Sequence, residues 1–336
     1  MKNLVLNIGL SLLLFFGAVS CNIKEDISNC PGSIILDYSA YSSEILDDIG
    51  ADEQIKVFIF DPEGICVDIY SFTYGSLQET GLEFEVPIAY SDHNVVVWQG
   101  LESADYTSNR MVVGESYENF YLRLVYDTST LSFNQVPDPL WASAYEPIEF
   151  CAKITRHRIY MTRLHTQVNV SVQHKMTDGS LVSLTTDDFH IAINACNNVY
   201  HTDYSIDEGS VALEYNDDEQ YDSPAATLSL TDEIAEAGTL RITPTMECTL
   251  SVEGVDGSDI SIGGSTMLDL VSYMLATKSD DSISDQRFLD LNKVWDLNLI
   301  IVESSEPSDP TVKNGYVALS IEINGWVMWF SSSELS

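Results

Sequence analysis

Cysteines, histidines and a large excess of carboxylates are the residues of this 336-residue chain that could do chemistry. Of the six cysteines, Cys21, Cys30, Cys66, Cys151, Cys196 and Cys248, only Cys21 stands in a context that assigns it a reaction. It follows the small residues Ala18-Val19-Ser20, which close an apolar run from Leu4 to Phe16 broken only by Asn7, Gly9 and Ser11. With Met1-Lys2-Asn3 as a short positive start, residues 1–20 read as a signal peptide, because the apolar stretch is too short to span a bilayer. The Ala-Val-Ser-Cys junction resembles a lipobox, after which the cysteine sulfur takes a diacylglycerol and becomes the mature N-terminus. An ordinary secretory signal with an incidental cysteine is the other reading. Each buried acyl CH₂ adds about 0.8 kcal/mol, so several chains on Cys21 make a durable anchor.

The remaining chemistry is thinner. The other cysteines are too widely spaced for the short paired motifs of zinc sites, and an oxidising compartment permits disulfides whose pairing the sequence leaves open. Cys196 and Cys248 lie in apolar strand-like runs and are expected as buried free thiols. The histidines, His93, His157, His165, His174, His190 and His201, are scattered and expected as packed or surface side chains. No HExxH pair, G-x-S-x-G elbow or phosphate-cradling glycine loop is present. An acid pair of the glycosidase type, drawn from distant strands, would leave no local pattern. The carboxylate-rich run Asn216-Asp217-Asp218-Glu219-Gln220-Tyr221-Asp222 lacks the ligand spacing and central Gly of an EF-hand loop, so it reads as a solvated loop. Asp281-Ser282-Ile283 fits a short acceptor pattern for bacterial O-glycosylation. The residues therefore point away from an enzyme, with no cofactor and no metal.

The elements that would position these residues are strands. Period-2 alternation dominates: Val168, Val170 and Val172 face one way while Asn169, Ser171 and Gln173 face the other, as in a half-buried strand. Similar runs recur at Ile34–Tyr38, Ile55–Phe60, Leu82–Val86, Asn94–Trp98, Phe120–Val125, Ile191–Ala195, Leu240–Thr245, Val294–Val302 and Tyr316–Phe330. Turn clusters such as Asp61-Pro62-Glu63-Gly64, Thr177-Asp178-Gly179 and Val255-Asp256-Gly257-Ser258 separate them. Helical pattern is scarce, and Thr266–Ala276, with Leu268, Val271 and Leu275 on one face, is its best example. An all-β fold follows, in two sandwiches. The basic cluster Arg156-His157-Arg158 sets the boundary, which gives an N-terminal sandwich over 28–162 and a C-terminal one over 163–336, after a tether at 21–27.

Charge narrows the partners. The formal net charge is −37, which repels nucleic acid and anionic lipid headgroups. Mean hydropathy near zero and 10% aromatic residues argue for a folded body rather than disorder. No later apolar run approaches a membrane span, so the mature chain is expected outside the bilayer. The tether Asn22-Ile23-Lys24-Glu25-Asp26 looks like the acidic export signal that follows the lipid cysteine in surface lipoproteins of the Bacteroidetes, and equally like a plain solvated linker.

The C-terminus stands out. Along Tyr316–Phe330 one face reads Val317, Leu319, Ile321 and Ile323, then Gly325, Val327 and Trp329. The opposite face reads Ala318, Ser320, Glu322 and Asn324, then turns apolar at Trp326, Met328 and Phe330. A strand apolar on both faces is hazardous at an exposed edge and must be covered. Two readings fit: a final core hairpin turning at Asn324-Gly325, or an assembly strand donated to a neighbouring subunit through Val317, Leu319, Ile321, Ile323, Val327 and Trp329.

With these residues in view, the chain resembles the FimB-type anchor subunits of Bacteroidales fimbriae (type V pili). The resemblance rests on an ordered series: the lipid cysteine, Asn29-Cys30-Pro31-Gly32 entering the strand Ser33–Tyr38, and Asp138-Pro139-Leu140-Trp141-Ala142. Tyr160-Met161-Thr162-Arg163-Leu164, Phe288-Leu289-Asp290 ahead of Trp295–Ile301, and Ile323-Asn324-Gly325-Trp326 continue it. It implies two tandem transthyretin-like β-sandwiches and partner fimbrial subunits joined by strand exchange. Stalk members of that family are cut after an early arginine, which frees the lipid and opens a groove for a neighbour's strand. Here the first arginine is Arg110, and the early lysines are Lys24 and Lys56, so the resemblance implies an uncut subunit that keeps its lipid. Such a subunit would terminate assembly and fix the fimbria to the outer membrane at the cell surface. The short C-terminal segment departs from a long donor appendage and leaves a tip or accessory role open. A surface glycan-binding lipoprotein, with aromatics clustered on one exposed face, is the alternative from another class. Replacement of Cys21 by Ala is expected to move the protein from the membrane fraction to the medium or periplasm; a Cys21→Ala chain that stays acylated and membrane-bound, by fractionation and mass spectrometry, excludes the lipid tether.

Overall fold

The structure, a computed structural model, describes residues 31–47, 49–150, 155–185, 188–216, 234–254, 258, 260–303 and 315–330. The signal peptide, Cys21, the tether, Cys30, Cys151 and most of the carboxylate-rich loop lie outside the described residues. The first strands are β1 (Pro31–Asp37), β2 (Gln54–Phe60), β3 (Cys66–Thr73), β4 (Glu83–Pro87) and β5 (Asn94–Gln99). Then come β6 (Tyr106–Ser108), β7 (Tyr121–Leu124), β8 (Ser132–Phe133), β9 (Trp141–Ser143), β10 (Glu146–Pro147) and β11 (Arg156–Arg163). Seven of them form a sheet in the order β3-β2-β5-β9-β11-β1-β4, with β10 added beside β5. In β2, Ile55, Val57 and Ile59 alternate with Phe58 and Phe60, and all are buried, as a central strand covered on both faces requires. The first set joins Ile34, Leu36, Val95, Val97, Ile159 and Met161 in one core, and the second set joins another. Trp141, from the Asp-Pro-Leu-Trp-Ala motif, anchors the first core edge-on between Tyr38 at 5.3 Å and Tyr41 at 5.0 Å.

Strand β1 is paired along both edges, parallel to β11 from Ser33↔Arg156 to Asp37↔Tyr160 and antiparallel to β4. Arg158 closes on Asp37 at 2.6 Å. Burial alone would raise the Asp37 pKa, but the Ser39 hydroxyl and amide and the Arg158 guanidinium outweigh it and hold the carboxyl below its ordinary value.

The later strands are β12 (His165–Lys175), β13 (Leu181–Ser183), β14 (Phe189–Ala195), β15 (Val199–His201), β16 (Leu213–Asn216) and β17 (Ile234–Leu240). They continue as β18 (Cys248–Gly254), β19 (Ile260–Ser261), β20 (Met267–Asp269), β21 (Val294–Glu303), β22 (Tyr316–Ile323) and β23 (Trp326–Trp329). A seven-stranded sheet runs β13-β12-β21-β22-β19, with β17 on β12 and β23 on β22. It faces a five-stranded sheet ordered β20-β18-β14-β16-β8. The alternation expected along β12 is present, with Val168, Val170 and Val172 buried and Asn169, Ser171 and Gln173 half-buried. The fold is thus all-β.

Three local expectations are corrected. The strand expected at Leu240–Thr245 lies earlier, at Ile234–Leu240, because the chain leaves the sheet at Arg241 and turns at Pro244. The helix expected from Thr266 starts at Leu270, capped when the Asp269 carboxylate accepts from the Ser272 amide, while Met267–Asp269 pairs with β18 as strand. Cys248 is buried as expected, but Cys196 is exposed. It falls just past the end of β14, and its neighbour Asn197 takes the interior position, donating to Thr239 Oγ1 at 3.0 Å and accepting from the Tyr215 hydroxyl at 2.7 Å.

The chain passes between the two large sheets through one residue, Leu164, fully buried between β11 and β12. Other segments cross the same seam: β8 pairs with β16, β15 pairs with β7, and the Trp98 indole donates to Thr202 O at 2.9 Å. Charge is buried here too. Arg241 donates to both Asp290 oxygens, at 2.9 and 2.8 Å, and Lys293 approaches the same carboxylate at 3.5 Å. His165 is fully buried beside Arg163 and Lys293, and neither ring nitrogen has a hydrogen-bond partner among the described residues. Desolvation first, then these two cations, hold its pKa well below the ordinary value. The folded chain therefore keeps His165 neutral at a pH where the unfolded chain protonates it. Its share of stability is complete above the unfolded pKa of about 6.5 and is lost as pH falls from there toward the folded value. Urea unfolding of a His165→Leu variant is expected to show a flatter loss of stability between about pH 6.5 and 5 than the parent chain; parallel profiles would remove His165 as the cause.

Candidate assembly surface

The C-terminal hairpin is built by its turn. Asn324 and Gly325 have φ of 47° and 82°, the left-handed pair of a type I′ turn, which matches the twist of the strands it joins. The register follows: Ile323↔Trp326, Glu322↔Val327, Ile321↔Met328 and Ser320↔Trp329. Strand β22 is covered on both edges, by β21 along its length and by β19 and β23 at its two ends.

This arrangement divides the six expected assembly residues. Ile321 and Ile323 are fully buried in the chain's own core, Val317 and Leu319 are half-buried, and Val327 and Trp329 are exposed. The single apolar face expected from Val317 to Ile323 is not formed. Pairing jumps from Ile300↔Ser320 to Ile301↔Ala318, so Leu319 is the extra residue of a β-bulge. The bulge shifts the alternation by one, turning Ala318 inward below it and Ile321 and Ile323 inward above it. The hairpin reading is the one realised for β22.

What remains open is β23. Met328 and Phe330 pack against the core, and Phe330 meets Tyr273 with ring centres 6.5 Å apart. Trp326, Val327 and Trp329 are 54, 49 and 72% exposed, and among the described residues no strand pairs with the outer edge of β23. A short strand with unpaired backbone groups and three exposed apolar side chains is a ready template for another chain. Trp326 completes this surface. The sequence showed it as an apolar residue after the Asn-Gly turn, but its exposure depends on the hairpin closing.

Other chemistry is muted. Burial pushes the Cys66 thiol up to about 11 and Cys248 to about 12, so neither is a thiolate near neutrality. Among the described residues no cluster of three metal-ligating side chains occurs, and no helix is long and apolar enough to cross a membrane.

Comparison with known proteins bears on this surface. The family described as fimbrillin-A associated anchor proteins Mfa1 and Mfa2 matches residues 28–332. The solved fimbrial anchor protein Mfa2 from Porphyromonas gingivalis is 20% identical, with 90% of this chain and 100% of that one covered and a TM-score of 0.60. A candidate adhesin from Bacteroides thetaiotaomicron is 19% identical, covering 90% of this chain and 98% of that one, with a TM-score of 0.66. A candidate adhesin from Bacteroides ovatus is 15% identical, covering 92 and 97%, with a TM-score of 0.67. At these identities the likeness is one of fold. No curated protein matches. The hairpin geometry itself predicts a split response in urea unfolding: Ile323→Ala should cost about 2–5 kcal/mol, and Trp329→Asp less than about 1 kcal/mol. Equal losses would place β23 in the core with β22.

Proposed function

Because the chain belongs to the family of fimbrillin-A associated anchor proteins Mfa1 and Mfa2, we propose that it holds a fimbria to the outer membrane, lipid-tethered at Cys21 and joined to its neighbour through β23. The observation that carries this reading is the exposed edge strand Trp326–Trp329 on an otherwise acidic chain. In it, residues 21–27 are the tether, and 28–162 and 163–336 are the two sandwiches. Among the described residues β1 is paired on both edges and fills the place beside Arg156–Tyr160 of β11, which favours a joint made elsewhere. A subunit that cannot take a strand there ends the series, which supports a terminal position.

The joint is correspondingly small. Ile321 and Ile323 cannot leave without emptying the core, so exchange is confined to Trp326, Val327 and Trp329. Burying each such side chain contributes roughly 1.5–3 kcal/mol, and main-chain hydrogen bonds on the free edge add to it. Aspartate at both Val327 and Trp329 is expected to release fimbriae into the medium while leaving the melting temperature within a few degrees of the parent, since both sites are exposed. Fimbriae that stay cell-bound with the doubly substituted, membrane-held protein would sink the reading.

A further inference from the structure

The turn between the helices Leu270–Ala276 and Asp285–Leu291 carries Asp281-Ser282-Ile283, a motif that the assembly surface does not use. Both ends of this turn are fixed. Thr277 closes the first helix by donating its hydroxyl to Met274 O at 2.7 Å, and the Ser284 hydroxyl caps the second by accepting from the Arg287 amide at 3.1 Å. The Lys278 ammonium meets Asp285 Oδ1 at 2.7 Å, which ties the two ends together. Within the turn the Ser282 amide donates to Asp280 Oδ1 at 2.8 Å. Asp281 and Ser282 are exposed, and Ile283 is half-buried. The Thr277 and Ser284 hydroxyls are thus committed to helix ends, whereas Ser282 is shown to solvent on a short, held turn.

Exposure alone selects nothing, because other serines are displayed in the same way. Ser129, Ser180 and Ser205 are exposed, and each donates its amide and its hydroxyl to an aspartate two residues earlier. What separates Ser282 is its neighbours. Ser129 follows a threonine, Ser180 a glycine and Ser205 a tyrosine, while Ser282 has a carboxylate before it and a branched aliphatic residue after it. The other aspartates that precede a hydroxyl, at Asp127-Thr128-Ser129 and Asp222-Ser223-Pro224, lack the aliphatic residue. A carboxylate on one side gives an enzyme a charged handle, and an aliphatic group on the other gives it an apolar one. A phosphoryl group would need a nucleoside triphosphate, which an exported chain does not meet, and would add charge to a chain already at −37. A neutral sugar adds bulk without charge. We propose that Ser282 is an O-glycan attachment site, recognised through Asp281 and Ile283 by a transferase of the cell envelope. The Ser282 Oγ bonds to the anomeric carbon of a sugar carried on a lipid diphosphate. The bond from that carbon to the diphosphate breaks, its electron pair leaves on the diphosphate, and the serine proton passes to a base of the transferase. The proposal needs export by the signal peptide expected at residues 1–20, and it stands whether or not β23 joins a neighbour.

Peptide mass spectrometry of the full chain, taken from the envelope fraction of a Bacteroidales host, tests this. The peptide that contains Ser282 is expected to be heavier by whole sugar residues, while those with Ser129, Ser180 and Ser205 keep their unmodified masses. Ser282→Ala should remove the added mass, and Ser282→Thr, which keeps a hydroxyl, should retain it. Asp281→Ala should also remove it with the serine still in place, which reads recognition rather than loss of the acceptor. These sites are exposed, so the melting temperature of each variant should stay within a few degrees of the parent. An unmodified Ser282 in the envelope-borne parent chain overturns the proposal. Added mass that survives Asp281→Ala, that sits on one of the other three serines instead, or that equals a phosphate overturns it equally.

Discussion

The seam between the two large sheets depends on one carboxylate. Asp290 takes two hydrogen bonds from Arg241, one from Gln286 at 3.0 Å, and the approach of Lys293. Its backbone oxygen accepts from the Tyr41 hydroxyl at 2.9 Å, and that hydroxyl in turn accepts from the Arg163 amide at 3.1 Å. One short chain of hydrogen bonds therefore ties the helix before β21, the segment after β1 and the crossover at Leu164. Burial would raise the Asp290 pKa, but Arg241 and Lys293 more than reverse that and hold the carboxyl charged. Lys293 fares differently: desolvation, with the nearby Arg241 and Arg163 cations, brings it down to about 8 against the pull of Asp290. The net downward shift already includes the pull of Asp290, so burial of the ammonium outweighs that attraction. The cluster fixes geometry more than it adds stability.

A fixed seam matters because it leaves the edges as the places where the molecule can meet another chain. One edge of the first sheet is blunted in the usual ways. Strand β4 closes the first sheet with Glu83, Glu85 and Pro87, two charges and a residue without an amide proton. Strand β23 carries none of these devices: its four residues are Trp, Val, Met and Trp.

Much of this was legible in the sequence, and the misses have a common cause. The alternation of Val168, Val170 and Val172 fixed β12 because a period of two is a local property. Asn324-Gly325 fixed the hairpin because both residues tolerate positive φ. The bulge at Leu319 was not legible: it is a mismatch between two strands, and its cause lies in the partner pairing around Ile300 and Ile301. Cys196 was misplaced for a similar reason. Its apolar neighbours suggested burial, but the interior position went to Asn197, whose partners Thr239 and Tyr215 come from other strands. The exposure of Trp326 is likewise a product of packing between distant segments.

The hairpin turn is where these strands of reasoning meet. Asn324 lies exposed and fixes the Asp296 backbone, while Trp326, two residues on, begins the apolar edge. Both residues are positioned by β22, which is held by β21 on one side and locked into the core by Ile321 and Ile323. Gly238 shows how tightly the rest is drawn together behind them: a Cβ there would lie 2.7 Å from the Val136 side chain, so β17 and a loop from the N-terminal half meet almost backbone to side chain. Tension applied at β23 would pass along β22 into β21 and β12, and from there through Leu164 into β11 and β1. The load path is a run of paired strands from β23 to β1.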